Sequence, residues 1–178
     1  MGILRQTYGY FKPRRIGSLL NRDYIIKKKV KRDGDIIYGG RAINAQVPAP
    51  FQRVSIDYDV LTKTPKKRAN ELDRLLDNTA GGNFHYVKPA MHPGTFKVMD
   101  KGSDGRKGTS DDFGIADYSK PSRKVKSVKI RGIRYVALSE RIKDAKTALA
   151  DPMFSFRHDK DRRDLMNIKL AKKFRRSF

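Results

Sequence analysis

The sequence predicts an α+β domain with a basic N-terminal arm ahead of it and basic C-terminal helices closing the chain. Three observations lead there. Short segments with period-two alternation, bounded by glycine and proline, mark strands. Apolar residues at helical spacing, with proline or glycine at their ends, mark helices between those strands. The charge is also unevenly spread. Of a net +22, residues 1–32 carry ten Lys/Arg against one acid and residues 119–178 nineteen against six, leaving residues 33–118 neutral.

A chain of 178 residues supports one ordinary domain with a real core. The expected division is a basic arm and helix over 1–33, then one domain over 34–178 that includes the helical tail. Hydrophobic content of 38% argues against full disorder. No apolar run approaches the ~20 residues that span a bilayer. With no cysteine, disulfides and thiolate chemistry are excluded. His85, His92 and His158 are too few and too scattered for a zinc site. The first 22 residues hold five Lys/Arg and no acid, yet no hydrophobic core of a secretory signal. A protein that is intracellular or virion-associated, and not secreted, is expected. Its basic flanks favour polyanions, RNA ahead of DNA, over a membrane surface.

Taken in order, residues 1–15 read as an irregular arm in which Tyr8, Tyr10 and Phe11 stand among basic residues, a pattern suited to base stacking or to pinning the arm. Ile16, Leu19, Leu20 and Tyr24 have helical spacing, extending to about Val30, and Asp33-Gly34 marks a turn. Asp35 to Tyr38 is a short strand ended by Gly39-Gly40, and Arg41 to Ala45 starts a short helix before Pro48 and Pro50. Val54 to Leu61 alternates as a strand, with Val54, Ile56, Tyr58 and Val60 on one face. Thr64-Pro65 is an N-terminal helix signal, and that helix runs to about Asp77 before Gly81-Gly82. Phe84 to Val87, Thr95 to Val98 and Phe113 to Tyr118 are strands. The turn-rich residues 100–112 read as a hairpin loop ahead of a calcium loop, lacking the EF-hand spacing. Val125 to Val136 is a hairpin about Arg131-Gly132. Ser139 is the expected cap of a helix to Leu149, and Asp161 to about Phe174 forms a last, basic helix.

The chemistry lies in the neutral middle. On a strand, Asp57 and Asp59 at i and i+2 point to one face. A carboxylate from a neighbouring strand, Asp117 in Phe113 to Tyr118, could complete a cage for Mg²⁺, which takes oxygen ligands together with substrate phosphate. Alone, Asp-x-Asp or Gly-Gly says little, since aspartates near strand ends also bond turns. Their order is more informative: strand, Gly39-Gly40, short helix, Asp57-x-Asp59, long helix, then Asp117.

This order resembles the minimal nucleotidyltransferase domain of the polymerase β superfamily. Gly132-Ile133-Arg134-Tyr135-Val136-Ala137-Leu138-Ser139 and the run Arg157 to Leu165 look like the end of small stand-alone members, the abortive-infection toxin-type enzymes and related viral transferases. The resemblance covers residues 35 to about 170 and implies a mixed sheet packed with helices. It implies that Asp57, Asp59 and Asp117 hold two Mg²⁺ ions about 3.5–4 Å apart, with the third acid helping to activate the attacking hydroxyl. It implies an NTP substrate bound over Gly39 and Gly40, whose missing Cβ lets backbone approach phosphate. Arg41 stands where the family often has Ser or Thr and becomes a candidate phosphate ligand. Lys143, Lys146, Arg157 and Lys160 are candidates for triphosphate or acceptor contacts. The gap from Gly40 to Asp57 is longer than the family's and contains Pro48 and Pro50.

Two functions are compatible with these residues. One is transfer of a nucleoside monophosphate from NTP to an RNA acceptor. The other is a non-catalytic nucleic-acid-binding or structural part of a viral or ribonucleoprotein particle that keeps the fold. Three aspartates converging on a metal would favour the first. Carboxylates facing apart, or paired with arginines such as Arg41, would favour the second.

Overall fold

The computed structural model describes residues 14–176, with side chains for 21–174. Nearly all of the arm read in residues 1–15, with Tyr8, Tyr10 and Phe11, and the side chains of Ile16, Leu19 and Leu20 therefore lie outside the described residues. The elements run α1 (Arg14–Asp33), β1 (Ile36–Tyr38), α2 (Gly39–Asn44), β2 (Tyr58–Leu61), α3 (Pro65–Ala80), β3 (His85–Pro89), β4 (Phe96–Asp100), β5 (Phe113–Ser119), β6 (Ser127–Ile130), β7 (Ile133–Val136), α4 (Leu138–Ala150) and α5 (His158–Arg176). The seven strands make one sheet in the order β3-β4-β5-β2-β1-β7-β6. β1 runs parallel to β7 and β2 parallel to β5, while the other neighbours are antiparallel. The architecture is a mixed α+β fold.

Alternation assigns the two faces of the sheet. Ile37, Tyr58, Val60, Ala116 and Tyr118 are all buried with Ile26 and Val30 of α1 and Ala69, Leu72 and Leu76 of α3. Helix α1, read from sequence as part of the arm segment, thus contributes to the main core. On α3 these apolar positions recur every three or four residues, and Gly81 ends the helix in the left-handed conformation, φ 70°. A second, smaller core joins Ile43 and Val47, from α2 and the turn after it, to Ile168 and Ala171 of α5, with Leu138 and Ile142 of α4 against it.

Several local expectations are corrected. The strand expected over Val54 to Leu61 begins only at Tyr58. Val54 and Ile56 are 83% and 71% exposed, because residues 54–57 run outside the sheet and their alternation has no face to bury. Thr64 makes no side-chain cap. Helix α4 is capped at Ala137 and not by Ser139. Residues 152–157, unassigned from sequence, form a 3-10 segment between α4 and α5. The Arg131-Gly132 hairpin does form, with φ 49° and 83° at its two central residues, the left-handed pair that a tight hairpin requires. The loop between β4 and β5 is closed by its own carboxylates: Asp111 accepts from the Ser103 hydroxyl at 2.7 Å and Asp112 from the Gly108 amide at 2.7 Å.

Candidate active site

Strand register carries one row of polar side chains across four strands. Tyr38 pairs with Asp59, Asp59 with Asp117, and Asp117 with Lys97. Because Tyr58, Val60, Ala116 and Tyr118 face the main core, Asp59 and Asp117 must face the other way. They lie in an open cleft of about 840 Å³, walled by Arg53, Arg141, Arg157 and Lys160. That volume is within the usual range for a small-molecule site.

The two aspartates are held differently. Asp117 Oδ2 accepts from Lys97 Nζ at 2.9 Å, while its Oδ1 is buried with no hydrogen-bond partner. Asp59 is pushed up to about 6, first by burial and then by the negative charges of Asp57 and Asp117, against the opposing pull of Lys160 and Arg53. Tyr38 is pushed up to about 12, first by burial and then by Asp59, so it stays neutral. Its hydroxyl meets Ser119 Oγ at 3.3 Å.

The glycine pair makes room for this arrangement. Gly39 has φ 66°, and a Cβ there would sit 1.9 Å from Asp59 Oδ2. Only glycine takes this backbone conformation without cost while leaving the carboxylate its place. A Cβ on Gly40 would meet Arg53 Nη2 at 2.6 Å. The neighbours that exploit the missing Cβ atoms are thus side chains of this chain.

The arginine wall is anchored on α5. Asp161 and Asp164 are 0% and 1% exposed. Asp161 accepts from Arg141 and, through both oxygens, from Arg157, at 2.8 and 3.3 Å. Asp164 accepts from Arg141 Nη2 and Arg53 Nε, each at 2.8 Å. Burial pushes Asp161 up, but Arg157 and Arg141 outweigh it and hold the group below the usual carboxylate range. Two buried carboxylates thus fix three guanidiniums, and Arg141 Nε is buried without a partner of its own.

The sequence-read residues divide accordingly. Gly39, Asp59, Asp117, Arg157 and Lys160 line the cleft. Arg41 does not, and its expected phosphate contact is corrected. Its guanidinium bonds Asp23 Oδ1 at 2.8 Å and the carbonyls of Asp57 and Ile56 at 2.8 and 3.1 Å, and lies over the Tyr58 ring. Two residues into α2, it is turned about 200° from Gly39, toward α1. Lys143 is likewise exposed on α4, about 200° around from the inward-facing Arg141 and outside the cleft lining. Asp57 precedes β2, so the i, i+2 rule does not bring its carboxylate into the lining. Among the described residues, no three His, Cys, Asp or Glu side chains form a group that could hold a metal ion. Sequence reasoning missed Arg53, Lys97 and Arg141. Lys97 alternates with Val98 on β4, but only the pairing with β5 reveals its partner.

The donor set suits a divalent cation bound jointly with substrate. Asp59 and Asp117 are adjacent and largely buried, and Asp117 Oδ1 is orphaned. Mg²⁺ is commonly held by one or two carboxylates with substrate phosphates completing its shell.

No protein-family model matches the sequence, and no curated protein matches it. In three dimensions, 90% of the chain matches the crystal structure of the Megavirus polyadenylate synthase with a TM-score of 0.72 and 18% identity. The chain spans about a third of the length of that protein, 33%. A looser likeness, to JHP933 from Helicobacter pylori, has a TM-score of 0.48 and 12% identity over 82% of this chain and 60% of that one, below the level of a shared fold. The Megavirus likeness shows a shared fold, a mixed sheet packed with helices.

Proposed function

We propose that the domain transfers a nucleoside monophosphate from an NTP to a hydroxyl of a nucleic-acid acceptor, RNA ahead of DNA. The observation that carries this reading is the Asp59–Asp117 pair facing three guanidiniums held by Asp161 and Asp164. Acids on one side and phosphate ligands on the other are what nucleotidyl transfer requires, since catalysis there is mainly positioning and charge neutralisation. The fold shared with a viral polyadenylate synthase and the basic flanks support the acceptor class.

Asp59 and Asp117 would hold Mg²⁺ together with phosphate oxygens of the substrate, and the ion when bound would supply Lewis-acid stabilisation of the developing charge. Arg53, Arg141, Arg157 and Lys160 take the remaining negative charge of the triphosphate. The acceptor oxygen forms its bond to the α-phosphorus as the bond to the bridging α–β oxygen breaks, and pyrophosphate leaves. Asp117 takes up the acceptor's proton, or a water does, once Lys97 has shifted. A second ion would need Asp57 brought to the pair.

The non-catalytic reading, a nucleic-acid-binding component of a viral or ribonucleoprotein particle, has two observations in its favour: Lys97 already neutralises Asp117, and Asp57 lies outside the cleft lining, so the three aspartates do not converge. Incubation with α-labelled NTPs, Mg²⁺ and RNA separates the two. Label transferred by the wild type and lost in Asp59→Asn and Asp117→Asn supports the transferase. No transfer with any NTP removes it. Among the described residues, no helix is long and apolar enough to cross a membrane.

A further inference from the structure

We propose that Phe154 and Phe156 form a stacking platform for unpaired bases of a single-stranded nucleic acid at the mouth of the cleft, an inference that rests on the nucleic-acid reading above. Both rings line the cleft, yet neither is buried: Phe154 is 36% and Phe156 80% exposed. The contacts between α4 and α5 are made by other residues, among them Leu138, Ile142, Ile168 and Ala171. The two phenylalanines are thus surplus to the core.

The segment that presents them is nonetheless firmly held. Pro152 opens it, Asp151 accepts from the Met153 amide at 2.9 Å, and the His158 ring meets the Ala148 carbonyl at 2.9 Å. Arg157, next to Phe156, is locked onto fully buried Asp161. Exposed aromatics on an anchored backbone lose little entropy when a flat partner stacks on them.

Charge identifies that partner. Lys120, Arg157 and Lys160 share the cleft with the two rings, while Arg123 is taken up by Glu140 and by Asp144, the latter at 2.8 Å. Cations that track phosphates, interleaved with aromatic faces, suit single strands. The ring centroids are 6.4 Å apart and the planes tilted by 48°. Rings so tilted do not clamp one base between parallel faces. Each offers its face to a different base, which a strand supplies and a mononucleotide does not.

The test is fluorescence anisotropy in EDTA without NTP, using a labelled single-stranded RNA and an abasic strand of equal length. Phe156→Ala and the Phe154→Ala/Phe156→Ala double variant should bind the RNA on the order of tenfold more weakly, with the abasic strand within about twofold of wild type. Phe156→Tyr should restore RNA binding. Unchanged RNA binding, or equal loss on both strands, overturns the platform. So does a loss confined to a non-hydrolysable ATP analogue in a parallel titration, which would assign the rings to the mononucleotide. The readout needs neither metal nor NTP, so loss of the transferase reading leaves this test intact.

Discussion

Lys97 Nζ stands 2.9 Å from Asp117 Oδ2, directly across the β4–β5 ladder, so the cleft contains a cation of its own before any metal arrives. A divalent ion bound as proposed would compete with this lysine for the same carboxylate. Replacing Lys97 with Met should therefore act in two directions. Without metal it removes a partly exposed ion pair and lowers stability by on the order of 1 kcal/mol. With Mg²⁺ it removes the competitor, so the rise in melting temperature on adding the ion should exceed that of wild type. Melting curves with EDTA and with Mg²⁺ test both parts. If Mg²⁺ stabilises neither protein, Lys97 is the permanent partner of Asp117 and the non-catalytic reading gains.

Asp59 should cost the metal-free protein stability. Its folded pKa of about 6 lies above the ordinary aspartate value of 3.8, because burial and then Asp57 and Asp117 resist its ionisation. Below the unfolded value both states are protonated and the penalty is absent. As pH rises through about 4 to 6 the unfolded chain releases its proton first, so stability falls, and above 6 the loss is complete. A shift of this size corresponds to about 2–3 kcal/mol. Asp59→Asn should thus stabilise the protein at pH 7.5 in EDTA and lose that advantage at pH 4, while abolishing nucleotidyl transfer. Urea titrations at the two pH values provide the check.

The legible part of this molecule was whatever local periodicity encodes. The α3 stripe of Ala69, Leu72 and Leu76, the Arg131-Gly132 hairpin and the alternation of Tyr58 and Val60 all follow from spacing and turn chemistry. Asp59 and Asp117 stand out by their order along the chain, and register places them side by side. What remained hidden depends on long-range geometry. Arg53 joins the cleft through a bond to Asp164 in the last helix, a contact no local pattern announces. Arg41 was misread because its orientation depends on α2 starting at Gly39, two residues before it. Asp57 lies outside the cleft lining because the alternation begins in sequence before the strand does, at Tyr58.

Asp161 should be the least replaceable residue of the arginine wall. It is fully buried and accepts from both Arg141 and Arg157, so Asp161→Asn leaves two guanidiniums short of a counter-charge. Breaking such a buried arrangement from one side costs about 3–5 kcal/mol. Arg157→Lys keeps a charge but loses the two-point grip, because a lysine makes a point contact. It should fold near normally and raise the KM for NTP with a smaller change in kcat. Chemical denaturation ranks the first variant, and steady-state kinetics the second.

Gly39 and Gly40 should respond differently to alanine, although they are neighbours. At Gly39 the backbone has φ 66° and the new Cβ would fall 1.9 Å from Asp59 Oδ2. Left-handed strain alone costs about 1–2 kcal/mol, and the short, half-buried Asp59 side chain has little room to move aside. At Gly40 φ is not in the left-handed region, and the Cβ would meet the far end of the Arg53 guanidinium at 2.6 Å, with Ser55 Oγ at 2.8 Å. A long side chain can swing aside, and alanine in place of glycine inside a helix gains roughly 0.5–1 kcal/mol. Gly39→Ala should therefore be destabilised and inactive. Gly40→Ala should be destabilised less than Gly39→Ala and bind NTP more weakly, because the displaced Arg53 loosens its bond to Asp164 and no longer faces the phosphates. Melting temperatures alongside NTP titrations of the two variants would show this split, and equal behaviour in both measurements would refute it.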